Sequence, residues 1–193
     1  PLLTWDLVGK AIENGHKLPQ GDIADSFCKR DQDTLLTRST WIDGLGVMVK
    51  AATVMPNSEP SVKGGVMLFD EAVIDFHLVT KWKTVGDSLL AAKYLARPNS
   101  ERLVILGAGT VAGNLVDAYR SLFPDLQISI WNRTTDKAES LAENKQCDVA
   151  YDLADAVGAA DIVCCATMSA TPVLQGKWLP SGFVHRDGWF AQV

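Results

Sequence analysis

The sequence predicts an α/β protein of two domains, in which an N-terminal α+β domain precedes a domain built on a parallel sheet. From residue 102 onward, short apolar runs alternate with helical segments of about ten residues, which is typical of βαβ units. Before residue 97, β-rich runs follow one another through tight turns, which is typical of an antiparallel sheet. A helical pattern stops at Arg97-Pro98-Asn99-Ser100, because a proline and polar residues follow. We therefore predict domains at residues 1–98 and 99–193.

The N-terminal domain is predicted to contain two helices and four strands. Trp5, Val8 and Ile12 recur at helical spacing, and this pattern ends at Gly15. A second helix is predicted from Thr84 to Ala96. The predicted strands are residues 34–42, 47–55, 65–69 and 72–78.

The loop at residues 43–46 leaves two registers open for the first hairpin. A two-residue turn places Arg38 and Lys50 on opposite faces of the sheet. A three-residue loop pairs Ile42 with Gly46, and Arg38 then faces Lys50. Only the second register could form a clamp for a carboxylate.

The second domain is predicted to repeat a strand and a helix three times and to add a fourth strand. Right-handed crossovers would make these strands parallel. The predicted strands are residues 102–106, 127–131, 148–150 and 162–166, and the predicted helices are residues 110–122, 135–143 and 153–159.

The sharpest motif is Gly107-Ala108-Gly109-Thr110-Val111-Ala112, which follows the first of these strands and opens the first helix. Its first glycine permits a tight turn, its second lets the backbone approach a diphosphate, and the alanine lets the helix pack closely. An ordinary glycine-rich turn would show the same residues. The position between a buried strand and a helix favours dinucleotide binding instead.

The end of the next strand bears on which dinucleotide binds. A site for NAD usually has a carboxylate there to bind the ribose 2′-hydroxyl, whereas this chain has Asn132-Arg133-Thr134. An arginine and a hydroxyl can bind a 2′-phosphate. An arginine that merely caps a surface loop is the alternative. We therefore expect NADP(H), with NAD(H) as the less favoured cofactor.

Two further groups of residues are candidates for ligand binding. Thr167 and Met168 follow the strand at residues 162–166, at the edge where open parallel sheets bind ligands, although an ordinary polar loop explains them equally well. Arg38, Lys50 and Lys83 are cations in largely apolar segments, where a small anion could be their partner. Solvent-facing positions would explain each cation taken alone.

Composition and charge exclude several other classes of protein. Eighteen Lys and Arg stand against 23 Asp and Glu, without a basic block, which disfavours binding to nucleic acid or to a membrane surface. The four cysteines and three histidines show no spacing for zinc, so no metal site is expected. Adjacent Cys164 and Cys165, and a first segment unlike a secretion signal, indicate the cytoplasm.

The chain resembles the ornithine cyclodeaminase/mu-crystallin family over nearly its whole length. The resemblance is carried by residues 46–50 with Pro56-Asn57, by residues 78–84, by the glycine motif, by residues 131–134 and by residues 166–169. It implies a substrate and dimerisation domain joined to a Rossmann-type domain, with the active site between them. It also implies that the substrates are small α-imino or α-amino acids. The oligomeric form that it implies is a homodimer through the N-terminal domain.

Site residues follow from the same resemblance. Arg38, Lys50 and Lys83 would bind the substrate carboxylate, and Thr84 would join the cofactor-binding residues. Lys50 or Asp187 would keep the imine protonated. Family members usually exceed 300 residues, so we expect the Rossmann-type domain to be incomplete at its C-terminal end.

Within the family, residues 83–88 and Asn132-Arg133-Thr134 resemble the Δ1-pyrroline-2-carboxylate reductase branch. The expected reaction is NADPH-dependent reduction of Δ1-pyrroline-2-carboxylate to L-proline, or of Δ1-piperideine-2-carboxylate to pipecolate. Ornithine cyclodeamination and a non-catalytic, crystallin-like ligand-binding protein are the alternatives.

Overall fold

The computed structural model describes residues 3–69, 71–169 and 171–180, and it has the predicted α/β fold class. The helices are α1 (Trp5–Gly15), α2 (Phe76–Leu95), α3 (Thr110–Leu122), α4 (Thr135–Lys145) and α5 (Leu153–Ala159), with a short 3-10 turn at Gly176–Trp178. The strands are β1 (Asp22–Arg30), β2 (Asp33–Ile42), β3 (Gly46–Val54), β4 (Val62–Leu68), β5 (Ala72–Asp75), β6 (Arg102–Leu106), β7 (Gln127–Trp131), β8 (Asp148–Val149) and β9 (Ile162–Cys165).

Packing divides the chain into two units. Their bounds differ from the domain boundary predicted between residues 98 and 99. One unit is Glu13–Lys83, and the other combines Pro1–Ile12 with Thr84–Val193, as far as these are described. The reason lies in α2, whose buried Val85 and Leu89 join the same hydrophobic cluster as β6 and β7. Most of α2 and the start of α1 therefore pack with the parallel sheet.

The first unit contains a five-stranded antiparallel sheet in the order β1-β2-β3-β4-β5. In the first predicted hairpin, Ile42 pairs with Gly46 and Arg38 pairs with Lys50. Of the two registers that the sequence leaves open, the structure thus has the three-residue loop. Gly44 in that loop has a φ of 76°, which a glycine adopts without strain.

The largest differences from the sequence-based prediction in this unit concern β1 and the start of α2. Strand β1 is not predicted at all, because its nine residues are exposed and show no apolar alternation. Helix α2 begins at Phe76 and not at Thr84, so the strand predicted at residues 72–78 is only Ala72–Asp75. The side chain of Asp75 accepts a hydrogen bond from the Leu78 backbone N–H at 3.1 Å, which caps the helix.

The second unit contains a parallel sheet in the order β8-β7-β6-β9. Strand β6 is central, and its residues alternate between two hydrophobic clusters. Leu103 and Ile105 pack in the cluster that contains α3, whereas Val104 and Leu106 pack in the cluster that contains α5. Strands β7 and β9 lie on opposite sides of β6. The order in which strands are added to the sheet therefore reverses at β6, which leaves a crevice beside its carboxyl end. Ligands of open α/β sheets bind at such a point.

Candidate functional site

The glycine motif forms the turn that connects β6 to α3. Gly107 has a φ of 116°, and its backbone N–H donates to the Trp131 carbonyl at 2.7 Å. A Cβ at this position would also collide with the Ala166 carbonyl oxygen, so a side chain fits neither the backbone conformation nor the space. The first glycine is therefore required by the turn itself.

The N-terminus of α3 suits a bound diphosphate. Gly109 is the N-cap residue, and no side chain caps the first N–H groups of the helix. A Cβ on Gly109 would meet no other atom within 4 Å, so the backbone here borders open space. Ala112 is fully buried, which lets the helix pack closely. Free N–H groups at a helix N-terminus bind phosphate oxygens, so these residues fit a dinucleotide.

A hydrogen bond from a side chain within it stabilises the loop after β7. Asn132 donates from its amide nitrogen to the Thr134 carbonyl at 2.9 Å. Thr134 is the N-cap residue of α4, but its hydroxyl makes no capping hydrogen bond. Arg133 is exposed between them. The loop thus presents a guanidinium and a hydroxyl beside the start of a helix, where a 2′-phosphate would be stabilised.

A cavity of about 390 Å³ lies beside this loop and adds a residue that the sequence analysis missed. Lys137 lines this cavity together with Ala108 of the glycine motif. The other lining residues are Asp136, Ser140, Leu141 and Asn144. The signal was available in the sequence, because Lys137 lies in the first turn of the helix predicted directly after Asn132-Arg133-Thr134.

The loop after β9 approaches the glycine motif. The Ala166 N–H donates to the Leu106 carbonyl at 2.7 Å, which extends the β6–β9 pairing up to the glycine motif. Thr167 is half-buried, and its hydroxyl accepts a hydrogen bond from the Ser169 N–H at 3.3 Å. Met168 is exposed. The predicted residues after β6, β7 and β9 therefore share one edge of the sheet.

A buried polar network fixes the strand that leads to this loop. The Tyr119 hydroxyl lies 3.2 Å from the Ser88 hydroxyl and 3.3 Å from the Cys164 sulfur. Burial raises the pKa of both Tyr119 and Cys164, so both groups stay neutral. The network joins α2, α3 and β9. Thr84, which we predict to bind cofactor, is one helical turn before Ser88 and half-buried within α2.

The three predicted cations are neighbours in the antiparallel unit. Arg38 and Lys50 are paired across β2 and β3, and we call this side of the sheet the cation face. Burial is the main cause that holds the pKa of Lys50 below its ordinary value, and the charges of Lys83 and Arg38 add to it. The Lys50 ammonium lies 4.8 Å from the centre of the Phe76 ring. Lys83 is on α2, away from the helix start that was predicted for it.

Asp25 on β1 is a further charged residue of the cation face. It pairs with Arg38 across the sheet and accepts hydrogen bonds from the Arg38 Nε and Nη2, both at 2.6 Å. These contacts hold the pKa of the Asp25 carboxyl below its ordinary value. The sequence analysis missed Asp25 because it did not predict β1.

Asp187, the second predicted proton source, lies outside the described residues. Among residues 3–69, 71–169 and 171–180, no three His, Cys, Asp or Glu side chains are grouped to hold a metal ion. Within the same ranges, every helix is too short or too polar to cross a membrane.

Several known proteins are similar to this chain. A Δ1-pyrroline-2-carboxylate reductase of Paracoccus denitrificans is 41% identical over 96% of the chain, and the match covers 63% of that protein. The ketimine reductase mu-crystallin of Rattus norvegicus is 35% identical over 65% of the chain and is covered to 43%. The matches thus span about two fifths to two thirds of the length of these relatives.

Solved structures share the fold. An archaeal alanine dehydrogenase dimer with bound NAD has a TM-score of 0.79 at 22% identity, and the match covers 92% of this chain and 61% of that one. A Δ1-pyrroline-2-carboxylate reductase of Thermococcus litoralis, in complex with NADH and L-proline, has a TM-score of 0.76 at 20% identity, with coverages of 92% and 62%. The sequence profile of one family matches residues 50–185. As its motifs predicted, the chain belongs to the ornithine cyclodeaminase/mu-crystallin family.

Proposed function

We propose that this chain is part of an NADPH-dependent reductase of cyclic ketimine acids. The observation that carries the proposal is the register of β2 and β3, which pairs Arg38 with Lys50 near Lys83. Three neighbouring cations on a partly apolar surface repel one another, and one small carboxylate would offset that repulsion. The names of the relatives, a Δ1-pyrroline-2-carboxylate reductase and a ketimine reductase, support a cyclic imino acid as that carboxylate.

The residues of this chain would bind the substrate, hold the cofactor and supply a proton. Arg38, Lys50 and Lys83 would bind the carboxylate and so fix the ring. The residues after β6, β7 and β9 would hold the cofactor, which when bound supplies a hydride to the ring carbon of the C=N bond. As this bond becomes single, the nitrogen must carry a proton. Lys50, whose pKa is lowered, and Asp187 are the two proposed proton sources.

The proposal is tested by following NADPH oxidation with a panel of cyclic imino acids. We expect oxidation with Δ1-pyrroline-2-carboxylate or Δ1-piperideine-2-carboxylate, with L-proline or pipecolate as product. Release of ammonia from ornithine would instead show a cyclodeaminase. Tight binding of NADPH without turnover of any imine would show a non-catalytic, crystallin-like protein.

The preference for NADPH rests on the loop after β7, which presents Arg133 and Thr134 and lacks a carboxylate at Asn132. We predict that NADPH binds at least tenfold more tightly than NADH, which is about 1.4 kcal/mol. Arg133→Asp should erase or reverse this preference, because it adds a charge that repels the 2′-phosphate. Fluorescence titration with both cofactors measures it. Equal affinities in the unmodified protein would refute the assignment of NADP(H).

We also propose a homodimer formed through the antiparallel sheet. The face opposite the cation face, which we call the apolar face, carries four large exposed side chains. These are Leu35, Trp41, Met67 and Val73. An apolar patch of this kind usually marks a protein interface.

The cytoplasm is the proposed compartment, because all four cysteines are free.

A further inference from the structure

The cation face carries an arrangement that the proposed function does not yet use. Asp25, Arg38 and Lys50 lie in one row across three neighbouring strands, with Arg38 in the middle. Cross-strand neighbours on one face of a sheet contact each other, so the two residues beside Arg38 decide where its side chain lies. One neighbour attracts the guanidinium and the other repels it.

The hydrogen bonds between Arg38 and Asp25 use one edge of the guanidinium. The Arg38 Nε donates to Oδ1 and the Nη2 donates to Oδ2, both at 2.6 Å, so two parallel bonds fix the plane of the group. A guanidinium has five N–H donors. Both hydrogens on Nη1 and one on Nη2 remain, and together they form a second edge that can bind another carboxylate bidentately.

The exposure of the pair argues against a role in stability alone. The side chain of Arg38 is 49% exposed and that of Asp25 is 29% exposed. Ion pairs as exposed as this one contribute little to folding, because water screens both charges. The geometric effect is larger, since a long flexible side chain beside a second cation would otherwise occupy many rotamers.

We propose that Asp25 is a positioning residue, which occupies the Nε edge of Arg38 and so presents the Nη1–Nη2 edge to the substrate carboxylate beside Lys50. The proposal rests on the proposed function, because it takes a cyclic imino acid as the ligand. It assigns Asp25 no contact with the substrate. Its effect on binding is exerted through the orientation of Arg38.

Asp25→Asn gives a sharp test, because the two possible roles of this carboxylate predict opposite signs. If Asp25 acted only through its charge, its neutralisation would remove a repulsion and tighten the binding of an anion. If it positions Arg38, its loss releases the guanidinium and weakens binding. An asparagine keeps one acceptor oxygen but loses the second, so the bidentate contact cannot form.

The experiment measures the Kd of pyrrole-2-carboxylate by calorimetry, and the KM and kcat for Δ1-pyrroline-2-carboxylate with NADPH. For Asp25→Asn we expect Kd and KM to rise at least tenfold while kcat changes less than threefold. Asp25→Glu, which restores two acceptor oxygens, should recover part of the affinity. Asp31→Asn removes a charge from the turn after β1, where a φ of 53° suits asparagine as well as aspartate, and it should behave as the unmodified chain.

Each outcome decides the proposal. A Kd for Asp25→Asn that is unchanged or lower overturns it, while the unmodified chain still reduces the imine and the proposed function stands. If the unmodified chain binds NADPH but neither binds pyrrole-2-carboxylate nor reduces any cyclic imine, the proposed function fails and the role of Asp25 fails with it. An unaltered far-UV circular dichroism spectrum and an unaltered thermal midpoint for Asp25→Asn show that the variant is folded.

Discussion

Lys50 carries a positive charge in surroundings that mostly oppose it. Partial burial is the largest cause that lowers its pKa, and the charges of Lys83 and Arg38 lower it further. The Phe76 ring, at 4.8 Å, is a neighbour that favours the cation. The unfolded state therefore binds the Lys50 proton more tightly than the folded state does, and this charge costs folding free energy at neutral pH. A carboxylate ligand would reverse the balance, since an anion stabilises the charged form.

This opposition predicts a pH dependence for ligand binding. Below the pKa of Lys50 the group is charged, and affinity for a carboxylate is full. Affinity should fall as pH rises through that pKa, in an alkaline range that begins below the ordinary value for lysine. The Kd of pyrrole-2-carboxylate, whose ring nitrogen stays neutral in this range, measures the effect. Lys50→Arg keeps its charge throughout, so its affinity should no longer fall at alkaline pH. An unchanged alkaline loss of affinity in Lys50→Arg would assign the titration to another group.

The elements of the parallel sheet were the most predictable part of the chain. Strands β6 and β7 and helices α3 and α5 have the predicted bounds, because apolar residues buried in the two hydrophobic clusters impose a clear periodicity on them. β1 was missed because it buries none of its residues. The start of α2 was missed because the apolar residues after Asp75 also fit a strand. Local periodicity thus predicts an element only where burial imposes a pattern.

The candidate site was predictable to a different extent in each unit. The cofactor-binding residues follow strands that the sequence predicts, and the topology brings them to one edge. The cation face depended on a register that the sequence left open, because Asp43-Gly44 fits a two-residue turn as well. Asp25 could not be predicted, because it lies on β1, which the sequence analysis did not find. Its partner Arg38 is thirteen residues further along the chain.

At the scale of elements, the Tyr119 hydroxyl connects α2, α3 and β9 within the protein interior. It donates to the Ser88 carbonyl at 3.2 Å and lies near the Cys164 sulfur. We predict that Tyr119→Phe lowers the free energy of unfolding by about 1–3 kcal/mol, because buried polar groups lose a partner. Urea unfolding measures it.

Tyr151→Phe is the matched control for Tyr119→Phe. It removes a hydroxyl that bonds Glu139 at 3.1 Å on a residue that is 72% exposed. We expect a change within about 0.5 kcal/mol. If the two variants lose the same stability, the network contributes no more than a surface hydrogen bond.

At the scale of the whole molecule, the row of charged residues and the proposed interface lie on opposite faces of the antiparallel sheet. The cation face carries Asp25, Arg38 and Lys50, with the exposed Ile23 and Phe27 beside them on β1, whereas the apolar face carries Leu35 and Trp41. Alternation along each strand separates the two sets, since neighbouring residues point to opposite sides. A second copy could therefore cover the apolar face without covering the cation face. This separation lets one sheet serve both an interface and a ligand.

The proposed homodimer is tested by placing a charge on the apolar face. We predict that the unmodified chain sediments with twice its mass of 20.9 kDa, and that Leu35→Glu sediments as a monomer. A carboxylate buried in an interface without a partner costs several kcal/mol, which weakens association far more than tenfold. Leu122→Glu on α3 is the matched control, because both leucines are 41% exposed, and it should stay dimeric. A monomeric unmodified chain, or a dimer of Leu35→Glu as tight as that of the unmodified chain, would show that the apolar face is not where two copies meet.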